Sequence, residues 1–198
     1  VVGSEERGGG PAASSWREIL TRSRISYHQV FTGDRFQLGA AKLRVLWPDK
    51  TYLSLPPGND GRALNDRSIV LRLDVPGFSA LFSGDIESDI DALIMRNLGA
   101  SVDFLKAPHH GSKGAASRAL LNVLDPRVSV VSVGAKNSYG HPSADTLQRL
   151  GERGAAVERT DLNGTVTVTV PLQQPGQIKI RSGIGERLAP ARSAVGRR

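Results

Sequence analysis

Between residues 68 and 170 the chain switches repeatedly between two apolar periods, and that switching limits the folds open to it. "SIVLRLDVPGFSALFSGD" carries two β-like apolar runs around a Pro76-Gly77 turn, and "ESDIDALIMRNLG" then takes helical spacing, ended by Gly99 at the C′ position. "VDFLKAP" follows as a buried-type strand, "SRALLNVLDP" as a helix stopped before Pro126, and "VSVVSVG" as a β-branched strand covered on both faces. "PSADTLQRLGERG" is the next helix, with Pro142 and Ser143 suited to its start. Two more strands, "AAVERT" and "GTVTVTVP", surround the turn residues Asp161, Asn163 and Gly164. This order predicts an α/β (α+β) fold, a mixed sheet with helices on at least one face.

The flanks are less regular. Residues 1–13 read as a flexible N-terminal segment, and the Ser15-to-Glu18 capping-box spacing starts a short helix over residues 14–22. "HQVFTGDRFQLGAAKLRVLWP" alternates as short strands joined by tight turns, and residues 49–66, rich in Pro, Gly, Asn and Asp, read as a long loop. The domain is expected over residues 14–171, followed by a basic tail over 172–198 in which "QIKIR" alone looks capable of pairing. Arg187, Arg192, Arg197 and Arg198 belong to that tail and read as solvated charges. No fixed-period repeat is evident.

Composition narrows the chemistry. With no cysteine, disulfides and Cys-ligated zinc are excluded, so any metal site must be built from His, Asp and Glu. The formal net charge of +7 favours a polyanionic partner such as nucleic acid or a lipid headgroup surface. No run approaches the ~18 apolar residues of a membrane span, and "VVGSEERGGG" has no apolar signal-peptide core, so the piece reads as soluble.

Three places put polar groups just after an apolar strand, where active sites gather. In "ALFSGDIE", Asp85 can present its carboxylate to a cation, with Gly84 permitting the bend, or can cap the helix over residues 87–98. In "LKAPHHGSKG", the adjacent His109 and His110 can divide metal ligation and proton transfer between them, or be structural. Ser112 there suits a helix cap, and Lys113 either meets a phosphate or is simply solvated. In "NSYGHPSADTL", His141 precedes a helix whose free N–H groups favour an anion, or it is a turn histidine. His28 reads as structural, "GRALNDRSIV" as a loop closed by Asn65 or Asp66, and "RTDLNG" as a turn. Glu87, Asp89 and Asp91 complement a helix dipole and need no catalytic role.

Taken in order, "NDRSIVLRL", "LFSGDIE", "VDFLKAPHHGS", "VSVGAKNSYGHPSADTLQRL" and "VERTDLNGTVTV" resemble the C-terminal metallo-β-lactamase-like domain of ComEC-type competence proteins over about residues 43–170. The resemblance implies an αββα sandwich, a centre of two divalent metals (Mn²⁺ or Zn²⁺), and hydrolysis of a phosphodiester during DNA uptake. It casts Asp85 as a metal-bridging carboxylate and His109 or His110, with His141 behind, as the last metal ligand; the expected site then has Asp85 and His109 on the metal, His110 and His141 in catalysis, and, from the residues themselves, Lys113 and Ser112 against the DNA. It also implies sequence-independent DNA binding, no small organic cofactor, and a parent competence channel in the bacterial cytoplasmic membrane with this domain extracytoplasmic. The upstream His-x-Asp-His motif of that fold is absent from these 198 residues, so the resemblance implies a domain incomplete at its N-terminus or a degenerate copy.

Overall fold

The Pro76-Gly77 turn forms with Gly77 at φ 77°, and the strands it joins pair antiparallel from Leu71 opposite Phe82 to Val75 opposite Phe78. The computed structural model describes residues 2–3, 11–56, 61–171, 173–174 and 176–192. Strands β1 (Val2–Gly3) and β2 (His28–Gln29) form a parallel pair of their own, with helix α1 (Pro11–Arg22) between them in the chain. The main sheet then begins with β3 (Arg35–Leu38) and β4 (Ala41–Trp47), and two short helices, α2 (Lys50–Ser54) and α3 (Gly61–Asn65), lead to β5 (Val70–Val75) and β6 (Phe78–Phe82). Helix α4 (Ser88–Leu98) crosses to β7 (Phe104–Lys106), α5 (Arg118–Leu124) to β8 (Val128–Val131), and α6 (Ala144–Gly151) to β9 (Ala156–Arg159). The seven strands lie in sequence order, β3 to β6 antiparallel and β6 to β9 parallel. A helical turn, α7 (Thr160–Asn163), leads to an antiparallel three-stranded sheet of β10 (Thr167–Thr169), β11 (Lys179–Ser182) and β12 (Gly185–Leu188).

Alternation along the strands sends side chains to two cores. Leu81, Leu105 and Val131 face the helices and pack with Ile90, Ile94, Leu98, Leu120 and Leu124. Burying each such leucine or isoleucine contributes about 1.5–3 kcal/mol. Phe78, Phe104, Val128 and Val130 face the other way, against Val168 and Ile180 of the smaller sheet and Ile178 just before its second strand. The result is an α/β architecture of helices, large sheet and second sheet. These are three of the four layers of an αββα sandwich, and no second helical layer occurs among the described residues.

Several local expectations change. Helix α1 starts at Pro11, whose fixed φ and missing N–H suit a first turn, so Ser15 lies inside the helix rather than at its cap. Residues 49–66 are not one loop: the Asp49 side chain accepts from the Tyr52 N–H at 2.6 Å and caps α2. Beyond Pro171 two strands pair, not one. Arg187 reaches Glu158, which is fully buried, and Arg192 Nη2 donates to Asp103 Oδ1 at 3.0 Å. A buried carboxylate left alone is costly, and Arg187 supplies the counter-charge of Glu158 through space. Residues 4–10, Arg197 and Arg198, on which the flexible-segment and tail expectations partly rest, lie outside the described residues.

Asp91 faces the core of α4 at 2% exposure, and its Oδ2 accepts from the Ser117 N–H at 2.9 Å. Burial raises its pKa above the ordinary carboxylate value, outweighing the lowering by its Ser117 hydrogen bonds. A carboxyl raised in the folded state stabilises the fold in its protonated form, and that contribution is lost as pH rises through the folded-state pKa. Asp91→Asn removes this titration. Urea unfolding of both proteins from about pH 4 to about pH 7 should therefore show the wild-type advantage over the variant shrinking as pH rises, and an advantage that stays constant would refute the assignment.

Candidate active site

Strands β6, β7 and β8 run parallel, so the segments that follow them meet at one edge of the sheet. Those segments carry Asp85, the His109-His110 pair and His141. The His109 N–H donates to the Gly84 carbonyl at 3.2 Å, and the Ser143 N–H donates to the Gly111 carbonyl at 2.9 Å, which locks the three together. Gly84 sits at φ 55°, and a Cβ there would lie 2.5 Å from the Ser68 Cβ, so this turn admits no side chain. The Asp85 N–H donates to Ser68 Oγ at 3.1 Å, and the N-terminal cap of α4 is Glu87, not Asp85.

His109 and His110 both adopt left-handed backbone, at φ 41° and 51°, followed by Gly111 at 78°. Each such non-glycine residue costs on the order of 1–3 kcal/mol, a strain that surrounding contacts must offset. The tight turn splays the two rings toward different partners. His109 Nδ1 lies 2.5 Å from Glu87 Oε1, and its Nε2 lies 3.2 Å from Asn65 Nδ2. Because the carboxylate accepts and the amide nitrogen donates, Nδ1 carries the proton and the Nε2 lone pair is taken. His110 Nδ1 donates to the Ser132 carbonyl at 2.6 Å, which leaves Nε2 facing Asp85 Oδ2 at 3.7 Å with the side chain 45% exposed. The imidazole beside Asp85 and open to solvent is thus that of His110.

Glu87 is the residue most underrated by sequence reasoning. It is buried, it accepts from both His109 and the Ser112 hydroxyl (2.8 Å), and its own N–H donates to Asp66 Oδ1 at 3.0 Å. Asp66 is buried too, and its pKa is raised by desolvation, against the lowering by the Glu87 hydrogen bond. Asn65 and Asp66 therefore serve the site as well as ending a helix. Their only signal in the sequence is that "NDR" stands directly before a strand. Ser112, expected to meet DNA, is 5% exposed and spends its hydroxyl on Glu87. Lys113 is 83% exposed with its Nζ 4.0 Å from Asp145, so it faces solvent.

His141 sits on a loop that Asn137 closes: the Asn137 amide donates to the His141 carbonyl at 2.8 Å and its Oδ1 accepts from the His141 N–H at 3.1 Å. The His141 ring lies 5.4 Å from that of His109. Its pKa is lowered first by burial and then by His109 and His110, so the ring keeps its neutral form further into the acid range than a free histidine. A cavity of about 290 Å³ opens beside it, lined by His110, Ser132, Asn137, Tyr139, His141 and Thr160 among others. Thr160 of "RTDLNG" fixes the rim, accepting from the Val133 N–H and donating to the Val133 carbonyl, both at 2.8 Å.

Among the described residues, no group of three or more His, Asp or Glu is placed to hold a metal ion. Asp85 and His110 offer two donors, and the Lys106 ammonium already sits 3.2 Å from Asp85 Oδ1 while donating to the Gly84 carbonyl at 2.8 Å. Two donors and a competing cation do not fit the two-metal centre implied by the resemblance.

No family model matches the chain. Curated relatives do: it is 32% identical over 143 residues to ComE operon protein 3 of Bacillus subtilis and 33% identical over 153 residues to Recombination protein 2 of Haemophilus influenzae. Competence protein ComA of Neisseria gonorrhoeae is 32% identical over 104 residues. The chain belongs to the ComEC-type competence family. The matches cover 72%, 76% and 52% of this ComEC-type chain but 17%, 19% and 15% of those relatives, so it spans less than a fifth of their length. Among solved structures, one from Parabacteroides distasonis described as a metal-dependent hydrolase covers 81% of the chain and is covered over 74%, at 14% identity and TM-score 0.45. CmlA, a diiron β-hydroxylase of Streptomyces venezuelae, covers 80% of the chain and is covered over 38%, at 15% identity and TM-score 0.49. Both overlaps are partial, and the architecture rests on the sheet order and layers above. No helix among the described residues is long and apolar enough to cross a membrane.

Proposed function

We propose that this chain forms part of a phosphodiester-hydrolysing site that acts on DNA, without regard to sequence, in a competence system. The observation that carries the reading is the pairing of Asp85 with the free Nε2 of His110 at the ends of two parallel strands, in a basic chain whose relatives are competence proteins. The Nδ1–H of His110 is committed to a carbonyl, so Nε2 is the nitrogen that takes a proton from an attacking water as the new P–O bond forms. Asp85 stabilises the resulting imidazolium, and the departing oxygen takes its proton, as the ester P–O bond breaks, from the imidazolium form of His141 across the same edge, a stronger acid than a free histidine because its pKa is lowered. The exposed Lys113 and Lys136 supply positive charge to the phosphate backbone. Hydrolysis at a useful rate needs electrostatic help beyond these residues, which a divalent metal with further donors would give.

The test is strand scission. Purified protein is expected to cut single- or double-stranded DNA in the presence of Mn²⁺ or Zn²⁺. Intact DNA under every condition, in a protein shown to be folded, would remove the activity from this chain.

A second reading has its own observation. The ion pair between Lys106 and Asp85 occupies the carboxylate, which suits a domain that binds DNA without cutting it. That reading predicts salt-sensitive DNA binding that a chelator leaves unchanged, and binding abolished by EDTA counts against it.

A further inference from the structure

Tyr139 is 80% exposed, far more than a large aromatic ring needs to be, and among the described residues its hydroxyl makes no hydrogen bond. It is nevertheless held in place. Its ring is stacked on His141, with centroids 6.0 Å apart and planes 21° from parallel. Its N–H donates to Asn137 Oδ1 at 3.2 Å, and the same side-chain amide bonds the carbonyls of Gly134 and His141 at 3.0 and 2.8 Å. The loop that carries it is therefore closed by one asparagine and anchored to the His141 backbone. The ring lies offset beside that of His141, and the side chain stands at the rim of the cavity of about 290 Å³ that also exposes His110. Lys136, three residues earlier on the same loop, is exposed.

A rigid, flat, exposed aromatic surface beside a cationic side chain and a phosphodiester-directed site matches the chemistry of an unpaired nucleobase, since every base has a π-face and its backbone carries charge. In a duplex both faces of a base are covered by its neighbours, so the ring cannot be used. We propose that Tyr139 is a stacking platform for one base of single-stranded DNA and selects single strands for the Asp85–His110 edge, an inference that rests on the reading of that edge as a DNA site. Tyr139 binds and orients; it takes no part in proton transfer.

The test is equilibrium binding of fluorescently tagged single-stranded and hairpin-duplex oligodeoxynucleotides by anisotropy, in EDTA, where no metal-dependent cleavage intervenes. Tyr139→Ala is expected to weaken single-strand binding about tenfold, with duplex binding unchanged and Tyr139→Phe close to wild type, because the ring and not the hydroxyl does the stacking. Equal weakening for both DNA forms, no change with Tyr139→Ala, or a Tyr139→Phe loss as large as that of alanine would each overturn the platform. A protein that cuts no DNA in any metal but shows the Tyr139 effect loses the hydrolytic reading and keeps this one. A protein that cuts DNA with no Tyr139 effect does the reverse.

Discussion

His110→Gln is expected to lower DNA cleavage by about 10²–10⁴-fold, the usual worth of a positioned proton-transfer group, while the protein melts near the wild-type temperature. The side chain is nearly half exposed, its single strong contact, from Nδ1–H to the Ser132 carbonyl, is worth about 1 kcal/mol, and a glutamine amide stands near the Nε2 position beside Asp85 without a nitrogen that can titrate. The neighbouring substitution, His109→Gln, makes the contrast. Both nitrogens of His109 are engaged, by Glu87 and Asn65, so its replacement acts first on stability. Cleavage and thermal melting measured on both variants separate the roles. Wild-type cleavage by His110→Gln, or full loss of cleavage by a His109→Gln protein as stable as wild type, would show that the two histidines have been exchanged.

Glu87→Ala is expected to cost about 3 kcal/mol, which for a chain of this size lowers the melting temperature by about 6–12 °C. One carboxylate oxygen accepts from His109 and from Ser112, and the backbone N–H of the same residue ties down Asp66. Removing the side chain strands a ring N–H and a hydroxyl in a site almost closed to water, and it also leaves a cavity. The other oxygen, Oε2, is buried without a hydrogen-bond partner and lies where a Cβ on Gly114 would be, at 2.3 Å. A side chain at 114 would therefore push the Glu87 carboxylate out of its place. Glu87→Gln, which keeps an acceptor for His109, should lose less than half as much. Differential scanning calorimetry decides it, and an alanine variant as stable as the glutamine one would show that the carboxylate does not organise the turn.

The order of elements was legible because period-2 and period-3.6 patterns are local. Pro76-Gly77, Gly99, Pro126 and Ser143 mark a turn, a helix end, a helix stop and a helix cap through the φ, N–H or hydroxyl that each residue itself supplies. The three loops that bear the candidate site were found for the same reason, since parallel strands joined by helices bring their ends to one edge wherever they occur. The extra strand of the C-terminal sheet was not legible. "GERL" has no apolar alternation, and all four of its residues are exposed. It is held instead by its ladder to β11 and by Arg187 on a carboxylate 29 positions earlier.

The division of labour between His109 and His110 was beyond the sequence altogether. Adjacent, chemically identical residues differ only in what surrounds them, and their left-handed turn sends one ring inward to Glu87 and the other outward to Asp85. By itself the sequence determined the strands and helices, their order, and the loops in which polar chemistry gathers, because propensity, capping and apolar period act over a few residues. Only the tertiary structure decided which histidine stays free, that Glu87 and Asn65 hold the other, and that Lys106 sits on Asp85. Those facts depend on distances between residues 21 to 44 positions apart in the chain, which no local pattern encodes.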